Sequence, residues 1–345
     1  MKVFLFGAHS KRIPLSYPAY RKLAVSEIHF VDDIERADCV LVGFVKDIRD
    51  CHEKIFDVKK RNPAIRVVVL SEEPLWDTLW SGDYSQPKGF SRLDGTVCEY
   101  EFLNHFTTDI YRFEKFPYFV TTNDDYFVRY ATLFHRNSCF GADDILEVWK
   151  GAPIRQAYFA EKRAGEKYDM LDSALDVVGL CGFRSVITEG AGEEGVLRVG
   201  QGWGNTVRRQ MLPDWHLDKL SALDRKAYIV CGIENTHQRY YITEKIFDAY
   251  AVLGVPIYYA SPQHAVHRLV PEESYINLYG LTADEAIRKV RNFRPDRQFV
   301  DAYREAQVRL RTLFSSPVEF WEERRKVLAK ICCKLIGRAG TGRQA

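Results

Sequence analysis

Residues 228–260, YIVCGIENTHQRYYITEKIFDAYAVLGVPIYYA, constrain the fold more than any other stretch of the chain. An apolar run from Tyr228 to Ile233 gives way to a polar loop, Glu234 to Tyr241. A helix start follows at Thr243-Glu244-Lys245, and then a second apolar run from Val255 to Ala260. Strand, loop, helix and strand in that order make a βαβ unit. Its charged residues sit where the first strand ends and the helix begins. In open α/β sheets anionic ligands bind there, because free backbone N–H groups and the helix dipole favour negative charge.

At 345 residues and 46% hydrophobic, the chain is long enough for two ordinary domains, each with its own core. A formal net charge of +2 argues against a general polyanion binder, so no nucleic-acid partner is expected. The eight cysteines lack paired CxxC spacing, and several lie in apolar runs, as Cys39 does in ADCVLVGF. They read as reduced core thiols rather than a disulfide framework or a metal site. The opening MKVFLFGAHS is strand-like, with one Lys and about six apolar residues, too short for a signal peptide or membrane anchor. A soluble, cytoplasmic protein is expected. Aromatic residues, at 13%, suit stacking on sugars and bases, although they also fill cores.

The first half reads as α/β: strands over 2–8, Cys39–Phe44 and Ile65–Leu70, with a helix through about residue 61. The aromatic section 96–134 holds short strand-like pieces such as PYFVTT, and a helix is expected near 142–150. Gly151-Ala152-Pro153 marks a boundary. The second half restarts with a strand at Gln156–Ala160, a helix over 174–190, a strand at Val196–Gly200 and a helix over 205–222. After the βαβ segment come a helix near 262–269, the strand SYINLY, the helix ADEAIRKVRNF and mostly helical residues from 298 to 335. Two such halves in succession argue for two doubly wound domains facing each other.

From Phe320 the chain holds seven Lys or Arg against two Glu, and Trp321, Val327, Leu328, Ile331 and Leu335 can share a helical face. Two readings stand: a closing helix packed on the body, or an interfacial helix resting on anionic lipid at the inner face of a membrane.

Lys245 in the first turn of a helix opposes the helix dipole and is tolerated more easily if an anion meets it there. Thr243 can equally be a plain N-cap. The residues around them carry a resemblance. Ile233-Glu234-Asn235-Thr236, Tyr241-Ile242-Thr243-Glu244-Lys245, Ala249 and Val255-Pro256-Ile257 resemble the signature of glycosyltransferase family 10, the α-1,3/1,4-fucosyltransferases that use GDP-fucose. The chain departs at Ile233, where the family prefers Phe, and at Ala260, where it often has Gly. The resemblance is dense over 225–280 and looser elsewhere.

The resemblance implies a GT-B fold: two facing Rossmann-like domains, with 1–150 holding the acceptor, 151–315 the GDP-sugar, and 316–345 a closing helix and basic tail. It implies an inverting transfer of fucose from GDP-fucose to a glycan hydroxyl, on lipopolysaccharide or a related oligosaccharide, with no cofactor and no obligatory metal. Lys245 would bind the donor pyrophosphate and compensate the departing GDP. Glu244 would accept hydrogen bonds from donor hydroxyls, with Tyr241, Asn235, Glu234 and Thr243 lining the pocket. One arginine after the first strand of the second domain would reach the phosphates with its planar fork. Arg184, in LCGFR, is the first choice and Arg163, in AEKR, its competitor.

The transfer also needs a carboxylate to take the acceptor hydroxyl's proton. The resemblance places it just after an N-terminal strand, at Ser71-Glu72-Glu73-Pro74. Glu72 aligns best, and Glu73 stays the alternative. Adjacent carboxylates also raise one pKa, which helps a base near neutral pH. Trp76, Asp77 and Trp80 follow and would frame the acceptor sugar. Asn104-His105 either lines the acceptor side or forms a hydrogen-bonded turn. His237, His264 and His267 show no ligand spacing, and DxD-like acids appear only as Asp124-Asp125, so no metal site is expected. Two other functions stay open on the residues alone: the same scaffold with another nucleotide sugar, or a silent carbohydrate-binding protein.

Overall fold

The computed structural model describes residues 1–204, 208 and 211–337. The chain divides into two compact units, Met1–Asp124 with Val318–Ala345, and Asp125–Pro317.

The first unit holds β1 (Lys2–Phe6), α1 (Pro18–Arg21), β2 (His29–Phe30), β3 (Cys39–Val42), α2 (Val45–Asp50) and α3 (His52–Arg61). β4 (Arg66–Leu70), α4 (Pro74–Trp80), β5 (Lys88–Leu93) and β6 (Thr96–Leu103) follow. Among the described residues the sheet runs β2-β1-β3-β4-β6-β5, parallel throughout except where β5 pairs antiparallel with β6. The near-continuous apolar runs of β3 and β4 mark strands covered on both faces. Side chains alternate between two cores: Cys39, Leu41, Val68 and Leu70 enter one, Val40, Val42, Val67 and Val69 the other.

The second unit opens on α5 (Asp124–Asn137) and α6 (Ala142–Gly151). Then come β7 (Ile154–Phe159), β8 (Leu171–Asp172), β9 (Val177–Gly179), α7 (Cys181–Gly190), β10 (Val196–Val199) and α8 (Trp215–Leu223). β11 (Ala227–Cys231), β12 (Thr236–His237), α9 (Glu244–Ala251), β13 (Val255–Tyr258), β14 (Ile276–Asn277), α10 (Ala283–Asn292) and α11 (Arg297–Leu313) complete it. Its main sheet is fully parallel, in the order β10-β7-β11-β13-β14, and β12-β9-β8 form a small antiparallel sheet. Both units are α/β with parallel sheets, as expected, and the segment 228–260 is the expected βαβ unit.

The closing helix α12 (Pro317–Ile336) packs on the first unit, where Val327, Leu328, Ile331 and Leu335 join Val3, Leu41 and Leu70 in one core. Four of the five apolar residues that a lipid-bound helix would present are therefore buried in protein, and Trp321 alone of them stays exposed. The end of the basic tail, 338–345, lies outside the described residues. Among the described residues no helix is long and apolar enough to cross a membrane.

The boundary expected at residue 150 is displaced to Asp124/Asp125. The cause is packing: Tyr130 of α5 donates to Asp248 at 2.7 Å, and the Trp149 indole of α6 donates to the Leu253 carbonyl at 2.8 Å. Locally, PYFVTT is a 3₁₀ turn at Tyr118–Thr122 rather than a strand, and the helix expected over 262–269 shrinks to a 3₁₀ turn at Ala265–Arg268. Residues 174–190 divide into β9 and α7, because Val178 and Gly179 pair with β12. The helix expected over 205–222 lies partly outside the described residues, and its described part begins at Trp215.

Candidate functional site

In the second unit the chain leaves β7 for β10 on one side and returns to β11 on the other. Loops beyond the carboxyl ends of β7 and β11 therefore part, and such a reversal is where open α/β sheets bind ligands. The residues singled out from the sequence gather there. Glu234, just past β11, is buried, and its carboxylate accepts from the Thr243 backbone N–H at 2.7 Å and hydroxyl at 2.8 and 2.9 Å. Lys245 Nζ donates to Glu234 at 3.0 Å and to the Thr243 hydroxyl at 2.8 Å, and lies 3.6 Å from Glu244. Thr243 caps α9, its hydroxyl accepting from the Lys245 N–H at 3.5 Å. The N-cap reading of Thr243 therefore describes it, and the same hydroxyl also ties Glu234 to Lys245. Tyr241 is buried, its backbone N–H closing the loop on the Gln238 carbonyl at 2.9 Å.

Burial alone would lower the Lys245 pKa; Glu234 and then Glu244 outweigh it and hold the ammonium firmly charged. Burial raises Glu234, with Lys245 opposing. Glu244 keeps one carboxylate oxygen, Oε2, buried without a hydrogen-bond partner among the described residues. Such an acceptor is costly unless something donates to it.

Arg184, in the first turn of α7, is buried, donating to the Ile233 carbonyl at 2.8 Å and to Asn235 Oδ1 at 2.9 Å. It fixes the loop after β11, and its Nε is buried with no partner among the described residues. Arg163 sits past β7, pairs with Glu161 at 3.1 Å, and is 17% exposed against 3% for Arg184, which makes it the more accessible of the two. Both guanidinium groups approach Cys181, at 3.6 and 3.9 Å from its sulfur.

In the first unit Glu72 and Glu73 follow β4 and precede α4, as expected. Glu72 is buried, and its carboxylate accepts from Arg12 Nε, the Tyr17 hydroxyl and the Tyr118 hydroxyl, each at 2.8 Å. Arg12 Nη2 also donates to Glu73 at 2.7 Å, and Glu73 accepts from the Trp76 indole at 3.1 Å. Burial raises the Glu72 pKa, while Arg12 and the tyrosines draw it back. Burial and the Glu72 charge push Tyr17 and Tyr118 well up, so both stay protonated donors.

Trp76 and Trp80, one helical turn apart, stack at 4.5 Å with an interplanar angle of 15°. Both are half-buried, as a sugar platform requires, whereas Asp77 between them is buried and cannot frame an acceptor. Asn104 closes its own turn: Oδ1 accepts from Phe106 and Thr107 at 2.9 Å, and Nδ2 donates to the Tyr84 carbonyl at 2.8 Å. His105 stacks on Tyr111 at 4.1 Å and meets the Glu72 carbonyl at 3.0 Å, supporting the carboxylate segment through its backbone. Of that pair, the hydrogen-bonded-turn reading describes Asn104.

Arg12, Tyr17 and Tyr118 escaped the sequence reading. They lie 60, 55 and 46 positions from Glu72, and no local pattern links them to it. The nearest signal is the aromatic density of 96–134, which marks Tyr118 no more than its neighbours. Among the described residues no group of three or more His, Cys, Asp or Glu is placed to hold a metal ion.

Fold and site together define a doubly wound α/β protein with a lysine, two arginines and two carboxylates at the switch point of its second sheet. Its C-terminal part has a counterpart: residues 200–339 match the family model described as glycosyltransferase family 10 (fucosyltransferase), C-terminal. The resemblance seen in the signature residues holds over this segment, which contains Glu234 to Lys245 and neither arginine. Among solved structures, an α1,3-fucosyltransferase with GDP-fucose is similar at 14% identity and a TM-score of 0.44, over 100% of this chain and 92% of that one. A second α1,3-fucosyltransferase structure is similar at 16% identity and 0.46, over 98% and 91%. Compared by sequence with curated proteins, the chain finds no match.

Proposed function

We propose that this protein is an inverting α-1,3-fucosyltransferase that moves L-fucose from GDP-fucose to a hydroxyl of a glycan, the second unit holding the donor and the first the acceptor. The observation that carries the reading is Lys245, held charged by Glu234 and Glu244 at the switch point, inside the segment that matches the fucosyltransferase family. A fixed ammonium there stabilises the negative charge that develops on departing GDP. Arg163 and Arg184 add guanidinium forks suited to phosphate oxygens. Glu244 offers sugar hydroxyls an acceptor that has no hydrogen-bond partner among the described residues, while Asn235, Thr243 and Tyr241 keep the loop in place.

On the acceptor side, Glu72 takes the proton of the attacking hydroxyl, with Glu73 as its partner and Trp76 and Trp80 as the sugar platform. The buried carboxylate with its raised pKa supports this role. A lipopolysaccharide-type oligosaccharide is the proposed acceptor class, and the cytoplasm the proposed compartment.

The test is transfer to a glycan array from GDP-fucose, compared with GDP-mannose and UDP-sugars, using wild type and Lys245→Ala. Transfer from GDP-fucose alone, lost in Lys245→Ala, is expected. Equal turnover by the variant sinks the donor assignment, and preference for another sugar sinks the fucose assignment.

A further inference from the structure

The first sheet also reverses direction: the chain leaves β1 for β2 on one side and comes back to β3 on the other. Beyond the carboxyl end of β1 stands His9, which the proposed transfer does not use. Asp47, in the first turn of α2, is buried and meets His9 Nδ1 at 2.8 Å and the His9 backbone N–H at 3.4 Å. Two glycines make room for this pair. A Cβ on Gly7, at φ +95°, would fall 2.4 Å from Asp47 Cγ, and one on Gly43 would fall 2.7 Å from the His9 carbonyl oxygen.

In the neutral ring a carboxylate on Nδ1 selects the tautomer with the proton on Nδ1 and the lone pair on Nε2. Among the described residues Nε2 has no hydrogen-bond partner, and the side chain is 31% exposed. The ring lies 5.3 Å from Phe44 and 5.7 Å from Trp80, continuing the stacked Trp76–Trp80 surface. The Trp76–Trp80 stack, with the His9 ring set at 45° to Trp80 beside it, offers an aromatic face to the apolar C–H side of a pyranose and one oriented acceptor to a hydroxyl at its rim. Asp47 on the His9 ring and Glu73 on the Trp76 indole place a carboxylate at each end of this surface, which disfavours an anionic sugar.

We propose that His9, oriented by Asp47, and the Trp76–Trp80 face form a subsite for a neutral pyranose of the acceptor, with one sugar hydroxyl donating to Nε2. The inference rests on the reading that the first unit holds the acceptor. It makes His9 a specificity-determining residue that selects the position and orientation of one hydroxyl.

The test uses the full chain with methyl β-galactoside and N-acetyllactosamine as probes, each beside its monodeoxy analogues, and reads binding by tryptophan fluorescence and saturation-transfer NMR. In wild type one deoxy analogue binds about five- to tenfold more weakly than its parent, the worth of one neutral hydrogen bond. His9→Asn retains an amide that reaches the place of Nδ1 and keeps Asp47 satisfied, while removing Nε2. It abolishes that difference by weakening the parent alone. Trp80→Ala weakens parent and analogue alike. An undiminished difference in His9→Asn overturns the proposal, and so does a wild type that binds neither sugar at millimolar concentration. A protein with the expected pattern that transfers no fucose retracts the reaction and leaves the subsite. One that transfers without the pattern does the reverse.

Discussion

Glu72 and Glu73 are neighbours in sequence with different surroundings. The Glu72 side chain is 1% exposed and takes three donors, whereas Glu73 is 8% exposed and bonds the Trp76 indole on the platform side. If Glu72 is the base, Glu72→Gln lowers kcat by about 10²- to 10⁴-fold, and Glu73→Gln lowers it far less. Steady-state kinetics on the two variants rank them, and the opposite ranking moves the proton to Glu73. The acid limb of the rate should sit above the ordinary glutamate value of about 4.3, because burial raises Glu72 and Arg12 offsets only part of the rise. The deprotonated form is the active one, so kcat/KM rises with pH through that limb. Arg12→Gln removes the offsetting charge and moves the limb to higher pH. A limb that stays in place identifies the titrating group as something other than Glu72.

At the scale of elements, β11, α9 and β13 were legible because their apolar runs and cap residues lie within one short segment. Other parts needed partners remote in sequence. The hairpin β5–β6 was missed, since KGFSRL is mostly exposed and carries no inward-facing apolar alternation. The 3₁₀ turn at Tyr118 looks strand-like until one sees its hydroxyl directed at Glu72. Helix α9 also has a second side, invisible in its pattern. Asp248 there is fully buried and binds Lys219 of α8 at 2.8 Å, His216 of α8 at 2.7 Å and Tyr130 of α5 at 2.7 Å. Burial alone would raise its pKa, but Lys219 and His216 outweigh burial and hold it well below the usual carboxylate range. A depressed carboxyl contributes stability that is fully present above its unfolded pKa of about 3.9 and is lost as pH falls toward the lower folded value. Asp248→Asn strands the buried Lys219 ammonium and should cost about 3–5 kcal/mol at neutral pH. Denaturant melts across pH check the sign: the gap between wild type and variant narrows below about pH 4. A gap constant across that range places the stabilising charge elsewhere.

At the scale of the whole molecule, the two units differ in how the chain builds them. Asp125–Pro317 is one continuous stretch, while the first unit is discontinuous and needs α12 from the far end of the sequence. A closing helix packed on the body was one of the two readings of this segment; which unit it closes was not legible, because an amphipathic basic helix matches a lipid surface and any protein core equally well in its periodicity. What decides between them is the partner surface: Val327, Leu328, Ile331 and Leu335 complete a core with strands β1, β3 and β4. Arg66, at the start of β4, also bonds the backbone carbonyls of Lys334 and Leu335, tying the end of α12 to the sheet. The element that reads as an accessory tail is therefore structural. Deleting one such side chain, as in Ile331→Ala, should cost about 2–5 kcal/mol, and removing the helix exposes all of them together. Residues 125–317 expressed alone should accordingly fold with a cooperative thermal transition by circular dichroism. Residues 1–124 alone should show no such transition, and should gain one when 318–337 is co-expressed as a separate chain. Cooperative folding of 1–124 by itself would mean that the sheet closes without α12. The amphipathic face would then be available for another surface, and the lipid-bound reading of the tail would return.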